Sequence, residues 1–337
     1  MLYIKYFIWH KTIWNGLLSH DRGWPNAFLI TGRKGIGKLA FAQALSRYLL
    51  CEARESLAAC GKCQSCLWFA GANHPDFRVL EPAAYNATAD EEQAEGKKPE
   101  KASNQIAIEQ IRALDDFVNL TSHRNGSKVI LIHPAEAMNP PAANALLKTL
   151  EEPPGSTVFI LVSHAPQRLL PTIISRCRGI PLPVPAAADS LKWLRGEGVA
   201  QPEIALAQAG YAPLAALEMN AQEKQNQRRD FLERLVAAIP NPLALAEHAL
   251  QYPLADVVNW LQKWVCDLVY CKFTGKIRYH LDFADKLERL AEKSDAVGLL
   301  RYYRELLAAQ RAVQHPLNPK LVLEYLALSY CLAMKNE

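Results

Sequence analysis

One segment constrains this chain more than any other: Gly32-Arg33-Lys34-Gly35-Ile36-Gly37-Lys38, a G-x-x-x-x-G-K loop. It follows the short apolar run Ala27 to Thr31 and precedes Lys38 to Leu50, where Leu39, Ala42, Leu45 and Leu49 recur on one helical face. A phosphate cradle needs that order. The glycines let backbone N–H groups approach an anion closely, and the following helix points its N-terminus at it. Gly32, Gly35, Gly37 and Lys38 are therefore candidate cofactor-binding residues, with Lys38 reaching the terminal phosphates. The alternative is a plain glycine turn between a strand and a helix.

The rest of a hydrolytic site is missing. The position after Lys38 calls for a Ser or Thr hydroxyl to hold magnesium, and the chain has Leu39. The strand Val129 to Ile132 should end in acidic residues and ends in His133-Pro134. Magnesium prefers hard oxygen ligands, which imidazole and proline do not offer. Glu136 is a candidate substitute, and a solvated loop charge is its simpler reading. Losing a general base alone costs about 100- to 10,000-fold in rate. ATP is a candidate cofactor of a degenerate phosphate loop, and no magnesium is expected.

Four of the eight cysteines crowd into one stretch: Cys51, Cys60, Cys63 and Cys66. Two adjacent C-x2-C units let four thiolates converge on a tetrahedral ion, so they are candidate ligands of structural zinc with no open position for catalysis. A redox pair or unpaired thiols are the competing readings. Cys177, Cys266, Cys271 and Cys331 stand in apolar surroundings and read as buried free thiols.

With 337 residues, half of them hydrophobic and 21% charged, the chain has the composition of a globular protein of several domains. Its net charge of +4 is too mild to argue nucleic-acid binding by itself. No apolar run reaches the ~18 residues of a spanning helix, so no membrane partner is expected. Met1 to Trp14 is apolar and aromatic but is interrupted by Lys5, His10 and Lys11, without a signal-peptide core. It reads as folded, and the chain as cytoplasmic.

Alternating strand and helix signals over residues 1–182 predict an α/β P-loop sheet domain carrying the cysteine module at 51–66. The further strands are expected at Phe77 to Leu80, Lys128 to Ile132, Thr157 to Val162 and Ile180 to Val184. Helices are expected at Ile108 to Val118, Pro140 to Glu151 and Gln167 to Ser175. The polar, charge-balanced stretch 86–104 reads as a mobile insertion. Pro181, Pro183 and Pro185 mark a boundary. Short helices broken by glycine and proline over 183–217 read as a small helical domain, and 218–337 as an all-α domain. In the latter, helical periodicity runs through Asp230 to Ile239, Pro242 to Gln251, Leu254 to Phe273 and Val297 to Val313. A last helix is capped by Asn318 and begun by Pro319.

Ser175-Arg176-Cys177 then brings in a resemblance. Together with Ala143-Asn144-Ala145-Leu146-Leu147-Lys148-Thr149-Leu150-Glu151-Glu152-Pro153-Pro154 and the cysteines after the loop helix, it resembles the bacterial clamp-loader subunits of the AAA+ class. The likeness covers essentially the whole chain. His133-Pro134 and the run Tyr303-Arg304-Glu305-Leu306 to His315-Pro316-Leu317-Asn318-Pro319 look like the branch without ATPase activity rather than its gamma/tau branch.

The resemblance implies that the two helical regions are a lid and a collar, and that the collar assembles a five-subunit ring. It implies partnership with gamma/tau and delta subunits, and through the complex with a sliding clamp and primed DNA, in the DNA polymerase III holoenzyme, a nucleotidyltransferase complex. It also implies that Arg176 acts as an arginine finger, in trans, toward ATP on a neighbouring gamma/tau subunit; read from chemistry alone, Arg176 is a surface charge. ATP-binding relatives carry a lid arginine in a G-x-x-R pattern, and the similar place here reads Gly210-Tyr211-Ala212-Pro213. Two other functions compete: an active gamma-like AAA+ ATPase using Glu136, and a zinc-dependent DNA-binding module.

Overall fold

The computed structural model describes residues 6–19, 23–55, 57–86, 103–120, 122, 126–220, 222–237, 241–313 and 318–334. Most of the expected insertion at 86–104 lies outside the described residues, as do His315 to Leu317 and Met1 to Lys5. The chain divides into two compact units, Met1–Asp189 and Ser190–Glu337.

The first unit is built on five parallel strands: β1 (Ala27–Thr31), β2 (Phe77–Leu80), β3 (Lys128–Ile132), β4 (Thr157–Ser163) and β5 (Arg178–Pro181), in the order β2-β3-β4-β1-β5. β3 and β4 are buried along their whole length, as continuous apolar runs in a parallel sheet should be. Its helices are α1 (Lys11–Leu18), α2 (Lys38–Leu50), α3 (Gln64–Ala70), α4 (Ala83–Asn86), α5 (Ile108–Asn119), α6 (Pro140–Glu151) and α7 (Pro171–Ile174).

Strand alternation divides the core. Leu29, Ile130, Ile132, Phe159 and Leu161 join one cluster with Ile111 and Leu114 of α5 and Leu146 and Leu150 of α6. α2 packs on the sheet through β1, β3 and β4. Truncating a core leucine such as Leu146 to alanine would cost about 2–5 kcal/mol.

Local chemistry fixes the ends. Asn139 Oδ1 accepts from Ala142 N–H at 2.9 Å, and Pro140 opens α6. Buried Lys128 donates from Nζ to Phe117 O at 2.5 Å and to Leu120 O, holding the carbonyls at the end of α5.

Two sequence expectations need correction. Gln167 to Ser175 is not one helix: a 3-10 turn at Pro166–Arg168 is followed by the single turn of α7, because Pro171 has no N–H for a continuing ladder. β5 is Arg178–Pro181 rather than Ile180 to Val184, paired with Phe28 to Thr31.

The second unit, over its described residues, is all-helical: α8 (Ala187–Gly196), α9 (Pro202–Gln208), α10 (Pro213–Met219), α11 (Gln222–Ala237), α12 (Pro242–Ala249), α13 (Leu254–Thr274), α14 (Ala284–Lys293), α15 (Ala296–Ala312) and α16 (Pro319–Ala333). α8 begins at the end of the first unit. Leu194, Val199, Ala205, Leu206 and Ala216 form one small cluster, and α11 to α16 share a larger one around Trp264 and Tyr302. α14 has no counterpart among the expected helices. Its Leu287 and Ala291 are a narrow apolar stripe in a charged sequence. Fully buried Asp267 accepts backbone N–H bonds from Arg278, Tyr279 and His280 and pairs with His280 Nδ1 at 2.9 Å. Arg228 Nη1 and Nη2 each donate to Asp282 at 2.8 Å, tying α11 to the segment before α14.

Among the described residues, no helix is long and apolar enough to cross a membrane.

Candidate functional site

The glycine loop leaves the carboxyl end of β1, where parallel sheets place their ligand sites. Gly32, Gly35 and Gly37 have φ of 146°, 82° and 94°, so all three need the freedom that only glycine gives cheaply. A Cβ on Gly37 would also strike Phe7, whose Cε2 would be 2.7 Å away.

Lys38 is almost wholly buried. Its Nζ donates to Gly32 O at 2.7 Å and to Arg33 O. Burial pulls its pKa down to about 8, with Glu136 opposing and Lys34 adding to the fall.

The N-terminal segment lies against this loop. Trp9 Nε1 donates to Ile36 O at 3.0 Å, and Phe7 and Trp9 stack at 4.6 Å. His10 is fully buried against Phe41, and neither ring nitrogen has a hydrogen-bond partner. Burial, then Lys38, brings its pKa down to about 4.

The neighbouring strand ends supply the other walls. His133 continues the ladder by donating its N–H to Leu80 O, and its Nδ1 lies 3.2 Å from Glu81 Oε1. The His133-Pro134 bond is cis. His164 follows β4, its ring 5.4 Å from that of His133, edge to face. Burial first, then Lys38, lowers its pKa to about 4.

Glu136 departs from the simpler sequence reading. It is half-buried, its Oε1 accepts the His164 N–H at 2.9 Å, and its charge acts on Lys38, His133 and His164. A solvated loop charge it is not. Neither Glu81 nor His164 carries a motif that points to it; each is marked only by following a strand.

The four cysteines converge as their spacing predicts. All four sulfurs lie within 4.8 Å of one another, and Cys51 and Cys63 are 3.9 Å apart. Zinc–sulfur bonds of about 2.3 Å in a tetrahedron put sulfurs about 3.8 Å apart, so the donor set fits zinc. Backbone N–H groups aim at the sulfurs: Cys60 at Cys51, Cys63 at Cys60, and Cys66 at Cys63, at 3.3–3.4 Å. Backbone donors, that of Lys62 foremost, bring the Cys60 thiol down to about 6, while burial pushes Cys66 up to about 12.

A further contact fastens the module to the sheet. His74 Nδ1 accepts the Asp76 N–H, which leaves its proton on Nε2 to donate to Ser65 Oγ at 2.7 Å; Ser65 in turn donates to Leu50 O. Of the other cysteines, Cys271 and Cys331 are buried and Cys177 and Cys266 half-buried, each outside any disulfide.

Arg176 is not part of the loop cluster. It is exposed after α7, donating from Nε to Glu151 Oε1 at 2.7 Å and from Nη1 to Thr172 O at 3.0 Å. Gly210-Tyr211-Ala212-Pro213 lies in the second unit, where Tyr211 has φ 67° and Pro213 opens α10.

The strand order, the glycine loop after β1, the inserted cysteine module and the all-helical second unit define a P-loop protein of the AAA+ class. A family model described as "DNA polymerase III, delta subunit" matches residues 11–186, and one described as "DNA polymerase III, delta subunit, C terminal" matches 222–330. The chain belongs to the DNA polymerase III delta' family of clamp-loader subunits.

DNA polymerase III subunit delta' of Pseudomonas aeruginosa is 36% identical over 334 residues, spanning 96% of each chain. The Yersinia pestis subunit delta' is 32% identical over 86% of this chain and 84% of its own. Among solved structures, a DNA polymerase III gamma subunit-related protein of Thermotoga maritima covers 96% of this chain and 99% of its own, with 19% identity and a TM-score of 0.45.

Proposed function

We propose that this delta' chain is a non-hydrolysing subunit of a cytoplasmic hetero-pentameric clamp loader. In this reading it assembles with gamma/tau and delta, presents Arg176 to ATP held by a neighbour, and helps place a sliding clamp on primed DNA. Residues 183–217 serve as its lid and 218–337 as the collar that closes the ring.

The loop end carries the reading. Leu39, His133 and Pro134 occupy the metal-handling positions and offer no oxygen side chain, while the Lys38 ammonium is spent on carbonyls of its own loop. Cys51, Cys60, Cys63 and Cys66 would hold zinc, which supplies a structural cross-link with every position filled by protein. If nucleotide enters, the Gly32–Lys38 loop would receive its phosphates through backbone N–H groups and Lys38.

One observation favours a second reading. Glu136 is half-buried and faces Lys38, as the carboxylate of an active gamma-like ATPase would. Purified zinc-loaded chain given ATP and magnesium decides between them. The first reading expects no turnover above background; steady hydrolysis near ~1 per second, ordinary for an enzyme, would establish the second.

A further inference from the structure

We propose that the glycine loop is a magnesium-independent polyphosphate site, in which protonated His133 and His164 supply the positive charge that a divalent cation gives elsewhere. The inference rests on the loss of the metal-handling oxygens described above, but not on any role for Arg176.

The loop keeps the parts that bind an anion and lacks only those that bind a metal. Three glycines hold positive φ, Lys38 is buried within the loop, and α2 runs thirteen residues from the loop's end. Where acidic metal ligands are wanted, two imidazoles stand edge to face at the ends of β3 and β4. The Nδ1 of His164 is buried there without a hydrogen-bond partner, and so are both nitrogens of His10 beside Gly37. Orphaned buried polar atoms are costly, and a bound group that pairs them removes the cost.

The charges set the pH dependence. Lys34 and Lys38 come from the loop, Glu81 from the end of β2 and Glu136 from beyond β3, so two formal cations face two formal anions. Tyr85 adds an uncharged ring 6.2 Å from His133, and His10 a buried imidazole on the N-terminal side. Burial is the main cause that disfavours the charged form of both strand-end imidazoles. A phosphate chain laid on the loop reverses that preference. Its charge favours the imidazolium forms, so binding takes up protons and tightens as pH falls. Magnesium has no comparable seat, because imidazole nitrogen is a poor ligand for it.

The test is calorimetric titration of the full zinc-loaded chain with ATP and, separately, inorganic tripolyphosphate. The buffer is freed of divalent cations over chelating resin, and each titration is repeated with excess magnesium. Binding is expected without magnesium, about tenfold or more tighter near about pH 6 than near about pH 8. Equal affinity for the two ligands makes the phosphate chain the whole recognition element; tighter ATP adds a nucleoside contact. The His133→Asn, His164→Asn double variant should lose the gain at low pH while keeping the weaker binding, and Lys38→Ala should lose both. A magnesium requirement at both pH values would overturn the proposal and point to Glu136 as a metal holder. Affinity that does not rise on acidification, or no binding by the wild-type chain, would also overturn it. None of those failures touches the Arg176 reading, which is measured on the assembled loader.

Discussion

Arg176 is parked on Glu151: its Nε donates to Oε1 at 2.7 Å, and Nη2 donates to the same oxygen. The pair joins the loop after α7 to the last residue of α6. About a third of the arginine side chain and half of the glutamate remain exposed. Such a pair contributes only about 0–1 kcal/mol. In the loader proposed above, a neighbour's triphosphate, more highly charged than one carboxylate, has only this weak pair to displace.

Arg176→Ala should therefore leave stability within about 0.5 kcal/mol, as surface changes do. At the neighbouring ATP site of a reconstituted loader, it should slow turnover by about 1,000-fold or more. Single-turnover hydrolysis by the complex measures this, with thermal unfolding as the control. An unchanged rate at that site would falsify the finger.

Cys63→Ser removes one sulfur of the four and the N-cap of α3, whose Sγ accepts the Cys66 N–H. Freshly purified wild-type chain should hold one zinc by elemental analysis, and the variant well under one. Because Ser65 and His74 fasten the module to the start of β2, metal loss should speed hydrogen exchange in β2 before it affects β4. Uniform exchange across the sheet would contradict that coupling.

Asp267→Ala leaves three backbone N–H groups and the His280 imidazole without their acceptor inside the helical core. A cost of about 3–5 kcal/mol is expected, read from the urea midpoint. Asp267→Asn, which keeps one acceptor oxygen, should cost less.

Acid should destabilise the chain through His10. Its folded pKa of about 4 lies below the ordinary 6.5, so the unfolded state takes up the proton first. Stability is whole above pH 6.5 and falls as pH drops toward about 4, by about 3 kcal/mol for a shift of this size. His10→Phe, an aromatic in an aromatic cluster, should flatten part of the slope in urea midpoints taken between about pH 7 and about pH 5. An undiminished slope in that variant would remove His10 from the account.

Much of this was legible in the residues because it is local. The strand Ala27–Thr31, the helices Lys38–Leu50 and Pro140–Glu151, and the cap of α16 by Asn318 follow from apolar period, glycine freedom and capping chemistry. The cysteine cluster follows from spacing alone.

What failed depended on contacts distant in sequence. β5 takes its position from pairing with β1, and no local signal fixes that register. Glu136 reads as solvated until β4 brings His164 to it. α14 escaped notice because Leu287 and Ala291 are a thin stripe beneath charged neighbours.

The hydrogen bond from Trp9 to Ile36 gives the chain an optical readout of its own. An indole that donates to the glycine loop must change its emission whenever the loop rearranges, with no label attached. Subtracting the spectrum of Trp9→Phe would isolate that signal from the other six tryptophans. Trp9 thus converts movement at the phosphate cradle into a change of colour.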